Sequence, residues 1–138
     1  MRFVLDTNVI LKALIRDSVV RGNLLRSSQE FLIPEYAIDE TRKHLGVVAE
    51  KSGLSEAEIN SVIDALLASI KVVPAEKVVS KWKEAGDLMA AIDAGDVPFV
   101  AAAISVSCDG IWSDDKHLRL QDKVRVWTTK EIVGLSRA

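Results

Sequence analysis

The stretch MRFVLDTNVI, Met1–Ile10, decides the fold because a short apolar run in it stops abruptly at a carboxylate. The run Phe3–Leu5 predicts a fully buried strand, and from Val9 onward apolar residues recur at helical spacing. In open parallel sheets, ligands bind in the crevice beyond the carboxyl ends of the strands, which is where Asp6 would lie. A carboxylate beside a buried strand end is costly unless something pairs with it, so the rest of the chain must supply that partner.

Length and composition bound the class of protein. The 138 residues, 49% hydrophobic and 28% charged, are typical of one globular domain spanning 1–138. No apolar run approaches the roughly 20 residues that cross a bilayer, so no membrane association is expected. The single cysteine, Cys108, excludes an internal disulfide and favours a reducing cytoplasm. The net charge of −2 argues against a broad basic surface for duplex binding, although a nuclease with an acidic cleft remains compatible with it.

Short apolar runs alternate along the chain with helical patterns. Five strands are predicted, at 2–5, 31–33, 70–73, 110–112 and 124–127. Helical patterns include 8 to about Arg16, 35–51 and 75–91. This alternation favours parallel strands joined by right-handed crossovers, with helices on both faces. We therefore expect an α/β fold, a three-layer α/β/α sandwich with a central parallel sheet of about five strands.

Carboxylates fall where such a sheet would have its cleft. If the first and fourth strands are neighbours, Asp6 and the pair Asp114 and Asp115 share one edge of the sheet. Asp93 and Asp96 open the helix that precedes the fourth strand. The pattern thus predicts one acidic site built from distant parts of the chain.

A further acid, Glu40, lies within the helical pattern at 35–51. At about 100° per residue, Glu40 lies nearer than Asp39 to the apolar stripe of that helix. The difference is modest, and helical geometry alone does not settle the choice between the two acids.

Carboxylates gathered in one cleft repel each other and take up protons unless a cation lies between them. Mg²⁺ and Mn²⁺ suit all-oxygen ligands, whereas His44, His117 and Cys108 lack the spacing of a zinc site. A divalent metal over an open cleft suits phosphodiester hydrolysis, because it lowers the pKa of a bound water and neutralises charge on the phosphate.

In such a cleft Asp6, Glu40 and Asp96 would form the first metal site, and Asp115 would complete it or share in a second one. Each acid also has a structural alternative that the residues alone leave open. Asp6 and Asp96 are good helix N-caps, and Glu40 is by default a solvated helix acid. A capping carboxylate can still lend an oxygen to a metal.

Four features of the chain resemble, in order, the motifs of PIN-domain ribonucleases: VLDTNV at 4–9, Glu40, DVPFVAAA at 96–103 and WSDDKHL at 112–118. In the last of these, Asp115 matches the family's acid and Asp114 a variable position. Ser113 replaces the commoner threonine. The resemblance covers nearly the whole chain.

The resemblance implies a Mg²⁺- or Mn²⁺-dependent endoribonuclease that hydrolyses RNA through a metal-activated water. It implies that Asp6, Glu40, Asp96 and Asp115 are the catalytic and metal-binding acids. Many small members, including the VapC-type toxins, belong to toxin–antitoxin pairs and are held inactive by an antitoxin protein. Such members are often homodimers, so RNA, an antitoxin and a second copy are the expected partners.

Five further polar residues are candidates for binding substrate or supporting the acids: Asn8, Asp93, Ser113, Asp114 and Lys116. Asn8 and Ser113 would orient an acid or contact a phosphate, with first-turn and strand-end roles as alternatives. Lys116 would steer RNA phosphates or be an ordinary solvated charge. Asp93 fits turn chemistry, and Asp114 fits a supporting or surface role.

Two other functions remain open from the sequence. An aspartyl-phosphate-forming phosphatase also has an Asp after its first strand, but it needs a second acid two residues on, where this chain has Asn8. The other is a catalytically inactive PIN-like module that binds RNA or protein. The intact acids of the four motifs argue against that module.

Overall fold

The structure is a computed structural model that describes residues 1–15 and 18–135. Its strands are β1 (Arg2–Leu5), β2 (Glu30–Pro34), β3 (Ile70–Val73), β4 (Gly110–Trp112) and β5 (Val126–Trp127). Its α-helices are α1 (Thr7–Ala13), α2 (Val19–Arg26), α3 (Glu35–Lys43), α4 (Leu45–Ser52), α5 (Glu56–Ser69), α6 (Ala75–Ser80), α7 (Trp82–Met89), α8 (Val97–Ser105) and α9 (Thr129–Leu135). Single 3₁₀ turns cover Ala94–Asp96 and Leu118–Leu120. The predicted end of the first helix, at about Arg16, lies outside the described residues.

The five strands form one parallel sheet in the order β3-β2-β1-β4-β5. From β1 the chain adds β2 and β3 on one side, and then crosses back to place β4 and β5 on the other side. Right-handed crossovers that run in opposite directions put their helices on opposite faces. Accordingly α2 contacts both α1 and α5, while α6, α7 and α8 form a separate set. The three-layer α/β/α prediction is confirmed.

Burial of the central strands explains why the sheet forms around β1. Phe3, Val4 and Leu5 are fully buried, and so are Ile111 and Trp112 in the neighbouring β4. Strands covered on both faces read as continuous apolar runs, as these do.

Helix α8 covers the middle of the sheet. Its residues Val97–Ala103 are all buried, and the helix packs on β1, β2 and β4. Alanine at three consecutive positions, 101–103, lets the helix approach the strands closely. Consequently the residue that precedes the helix, Asp96, is carried into a buried position.

Two helical patterns are broken where the sequence predicts continuity. The predicted helix over 35–51 divides at His44 (φ −107°, ψ 19°), and the one over 75–91 divides at Lys81 (φ −114°, ψ 11°). Neither break falls on a proline or glycine. Because α3 packs on β2 and α1 while α4 packs on α5, the two halves of the first pattern serve different partners.

The last strand is shorter than predicted, starting at Val126 rather than Val124. The Gln121 side chain accepts from the Val124 backbone N–H at 2.9 Å and donates to its carbonyl at 2.7 Å. These bonds occupy the backbone groups that a longer strand would use. In the described residues no helix has both the length and the apolar character needed to cross a membrane.

We expect Gly110→Ala to lower the free energy of unfolding by at least about 2 kcal/mol. Gly110 has φ 145°, and a Cβ there would collide with the Arg125 carbonyl oxygen and lie 2.9 Å from the Trp127 ring. The matched control is Gly86→Ala within α7, where the added Cβ meets no heavy atom within 4 Å. That variant should be neutral or more stable by up to about 1 kcal/mol. Urea denaturation compares the two, and equal effects would contradict the assignment.

Candidate active site

The acids converge where the sheet reverses its strand order. β1 and β4 are neighbours, with Leu5 opposite Trp112, and the Asp6 backbone N–H donates to the Trp112 carbonyl at 3.2 Å. The chain leaves these two strands in opposite directions, which opens a crevice at their carboxyl ends. Asp6 and the Ser113–Asp115 segment therefore lie at the same edge of the sheet, as the sequence predicts.

Asp6 is buried, with 3% of its surface exposed. Its Oδ2 accepts a hydrogen bond from Ser113 Oγ at 2.7 Å. Its Oδ1 accepts from the Asn8 backbone N–H at 3.5 Å, and Asp6 thereby caps α1. Burial raises the pKa of Asp6, although the Ser113 hydrogen bond opposes the shift, and the charge of Asp115 raises it further. The capping role and a place in the acidic site therefore occur together.

Ser113 connects two of the candidate acids. Its hydroxyl is fully buried, donates to Asp6, and accepts from the Asp115 backbone N–H at 3.0 Å. Asp115 Oδ1 in turn accepts from the His117 backbone N–H at 2.8 Å. This chain of bonds fixes the turn after β4, so that Asp115 is oriented relative to Asp6.

Asp96 is the acid whose charged form is disfavoured by burial and by three neighbouring carboxylates. It is 7% exposed, and its Oδ2 is buried without a hydrogen-bond partner in the described part of the chain. Burial, together with the charges of Asp115, Asp6 and Asp93, raises the pKa of Asp96 to about 7. It occupies the N-cap position of α8, but its side chain makes no capping bond there. An anion in this state would be stabilised by a cation.

Glu40 has a hydrogen-bond partner on its own helix. It is half-buried on α3, and it accepts a hydrogen bond from the Tyr36 hydroxyl, one turn earlier, which raises the pKa of Tyr36. The carboxylates that raise the pKa of Asp96 are Asp115, Asp6 and Asp93. The neighbouring Asp39 is exposed, as the helical geometry predicts. Participation of Glu40 in a metal site stays a prediction.

The residues fit a hard dication by their chemistry. All the donors are carboxylates, and one buried oxygen of Asp96 lacks a partner within the described residues. In residues 1–15 and 18–135, no three His, Cys, Asp or Glu side chains already converge on one metal position. Binding would therefore require these side chains to rotate toward the ion.

Asp114 points away from the other acids. Its carboxylate accepts from Lys12 Nζ at 2.8 Å, from the Thr129 backbone N–H at 2.8 Å and from Thr129 Oγ1 at 2.5 Å. Partial burial acts to raise the pKa of Asp114, but these hydrogen bonds outweigh it and the pKa is lowered. Asp114 thus caps α9 and holds Lys12, which agrees with the supporting role expected from the sequence.

The remaining candidates are Asp93, Asn8 and Lys116. Asp93 Oδ1 accepts from the Gly95 backbone N–H at 2.9 Å, the predicted turn chemistry, and its Oδ2 lies 3.8 Å from His117 Nδ1. Asn8 and Lys116 are both exposed.

Lys12 is the residue that the sequence interpretation missed. It lies on α1 four residues after Asn8, so the two share one face of the helix. That spacing was a usable signal. Its partner Asp114, which Thr129 also contacts, lies 102 residues away in the chain, and only the fold brings these residues together.

Known proteins share the sequence pattern and the fold of this chain. The family model of the PIN domain matches residues 4–135. The chain belongs to the PIN-domain family. No curated protein matches it. Among solved structures, this PIN domain is similar to a chain in the crystal structure of VapBC2 from Rickettsia felis bound to a DNA fragment from their promoter. The TM-score is 0.70 at 14% identity, covering 93% of this chain and 98% of that one, which shows a shared fold.

We expect the stability of the metal-free protein to fall as pH rises toward and through about 7, because the pKa of Asp96 is raised to about 7 from 3.8. Between these values the native state binds more protons than the unfolded state, so deprotonation destabilises the fold. Asp96→Asn removes this dependence. Its midpoint of thermal unfolding should exceed that of the wild type by several degrees at about pH 8, and by much less at about pH 5. A difference that does not change with pH would contradict the assignment.

Proposed function

We propose that this PIN domain is a Mg²⁺- or Mn²⁺-dependent endoribonuclease that hydrolyses RNA phosphodiester bonds. The observation that carries the proposal is the buried, unpartnered Asp96 carboxylate, beside Asp6 and Asp115 at the reversal point of the sheet. Carboxylates that disfavour their own charge in a cleft are a site prepared for a cation. Membership of the PIN-domain family supports nuclease chemistry, since PIN domains are generally nucleases.

Asp6, Asp96 and Asp115 would hold the dication, with Glu40 as the proposed fourth ligand. When bound, the ion supplies a water of lowered pKa and neutralises charge on the phosphate. The chain's own contribution is orientation, because the Ser113 hydroxyl connects Asp6 to the Asp115 backbone at 2.7 and 3.0 Å. Attack by water requires no covalent enzyme intermediate.

The proton of Asp96 has a consequence for metal binding. With a pKa of about 7, this carboxyl is about half protonated at neutral pH and must lose its proton to act as a ligand. Metal affinity should therefore increase with pH across this range. We expect the exposed Asn8 and Lys116 to meet RNA phosphates rather than the metal.

We also propose that the protein is the toxin of a toxin–antitoxin pair. Family membership and the likeness of its fold to a chain of the VapBC2 complex support an antitoxin partner. A homodimer and a cytoplasmic location belong to the same proposal, and so does action of residues 1–138 as a single domain.

Asp6→Asn should fold normally and lose Mn²⁺-dependent RNA cleavage by at least about a hundredfold. The amide oxygen can still accept from Ser113, but the ligand charge is gone. Asp39→Asn is the matched control, since it makes the same change at an exposed acid and should cleave like the wild type. Cleavage rates of a labelled single-stranded RNA, with circular dichroism for folding, compare the variants. Unchanged cleavage by Asp6→Asn would remove the mechanism, and a phosphoaspartate trapped at Asp6 would indicate the phosphatase instead.

Glu40→Gln tests the fourth ligand separately. If Glu40 reaches the metal, we expect Mn²⁺ affinity to fall about tenfold or more by calorimetry, with the unfolding midpoint of the metal-free protein nearly unchanged. Asp39→Asn again provides the control on the same helix. Equal Mn²⁺ affinity for Glu40→Gln and the wild type would leave Glu40 as a helix acid bonded to Tyr36.

A further inference from the structure

Thr7, the residue after Asp6, has a buried hydroxyl that makes no hydrogen bond within residues 1–15 and 18–135. Only 7% of the surface of Thr7 is exposed. Its backbone N–H interacts with the Asp6 carboxylate, so the backbone of Thr7 is engaged at the candidate site while the side chain is not. A buried hydroxyl without a partner is costly, and such a group in a native structure requires an explanation.

Helical spacing places Thr7 on the side of α1 that packs against α3. The two helices are in contact, and Ile10 lines an apolar pocket together with Ile38 and Thr41 of α3. Thr7 lies three residues before Ile10 and therefore shares its face of α1. Both helices begin directly after neighbouring parallel strands, β1 and β2, so they leave the same edge of the sheet. The first turn of α1, which contains Thr7, thus lies beside the first turns of α3.

Glu40 is the acid that this part of α3 carries. Side chains on a helix lean toward its N-terminus, so the Glu40 carboxylate lies over the preceding turn, where it accepts from the Tyr36 hydroxyl. An ionised carboxylate can accept more than one hydrogen bond. Because Glu40 is half-buried, protein groups as well as water can supply the others. A donor on the facing turn of α1 is well placed to hold this carboxylate.

We propose that Thr7 is a positioning residue for Glu40, and that its hydroxyl donates to the Glu40 carboxylate when the acids hold a dication. The inference rests on the proposed metal-dependent nuclease function and adds the group that orients its fourth ligand. Groups that hydrogen-bond a ligating carboxylate fix its orientation and raise metal affinity. Ser113 has the corresponding role at the first acid, because its hydroxyl donates to Asp6 at 2.7 Å. In the metal-free protein the Thr7 donor is held in reserve, which accounts for its unpaired state in the described chain.

Thr7→Val removes the hydroxyl and keeps the shape of the side chain. In the metal-free protein its midpoint of thermal unfolding should equal or exceed that of the wild type, because a methyl group replaces an unpaired buried hydroxyl. Calorimetry with Mn²⁺ alone should show an affinity about tenfold lower. Thr7→Ser retains the donor and should bind Mn²⁺ within about twofold of the wild type.

Two further measurements separate an effect through Glu40 from a general one. Thr41→Val makes the same change at a buried threonine of α3, whose hydroxyl donates to the Ala37 carbonyl at 2.8 Å, and its Mn²⁺ affinity should not change. In the Glu40→Gln background, Thr7→Val should cause no further loss of affinity, because the group that Thr7 orients is no longer a ligand.

Wild-type Mn²⁺ affinity in Thr7→Val would overturn the proposal, and so would an equal loss of affinity in Thr7→Ser. A Thr7→Val effect of the same size with and without Glu40 would overturn it as well. In each of these cases, Mn²⁺ binding and RNA cleavage by the wild type would leave the nuclease function intact. If the wild type binds no Mn²⁺, the metal-dependent function fails and the role of Thr7 fails with it.

Discussion

The repulsion among three carboxylates, of which Asp6 and Asp96 are buried, is the constraint on which the candidate site depends. Asp6 follows β1, Asp96 precedes α8, and Asp115 lies shortly after β4. The apolar packing of these three elements brings the carboxylates together. The nearby imidazole of His117, 3.8 Å from Asp115, only partly offsets the charge that raises the pKa of Asp96. The fold therefore tolerates an unfavourable arrangement because the surrounding core is extensive. Local conflict of this kind is expected at functional sites.

The three consecutive residues after β4, Ser113 to Asp115, contact three different parts of the structure. Ser113 faces inward and bonds Asp6, Asp114 turns toward α9 and Lys12, and Asp115 faces the other acids. Adjacent residues at a strand end point in different directions, so two neighbouring carboxylates reach different partners. The result is that one acid stabilises the structure around the site while the other contributes charge to it.

An apolar groove between α1 and α4 adjoins the acids, because Asp115 lines the groove and Asp6 caps α1. Asp6 caps this helix, and Lys12 lies near its end beside the apolar wall. The opposite wall exists because the helical pattern breaks at His44, after which α4 presents Val47 and Val48 to α1. A feature that contradicted the sequence prediction thus forms one wall of this groove.

The parallel α/β fold, the strand that ends at Asp6 and the positions of the acid motifs could all be predicted from the sequence. Strand burial, capping and helical period are local properties of the chain, and these features depend on them. Three features could be seen only in the folded structure. Asp114 turns away from the other acids, Lys12 donates to Asp114 although 102 residues separate them, and the pKa of Asp96 is raised. Those outcomes depend on which distant groups share a buried space, and no local pattern encodes that.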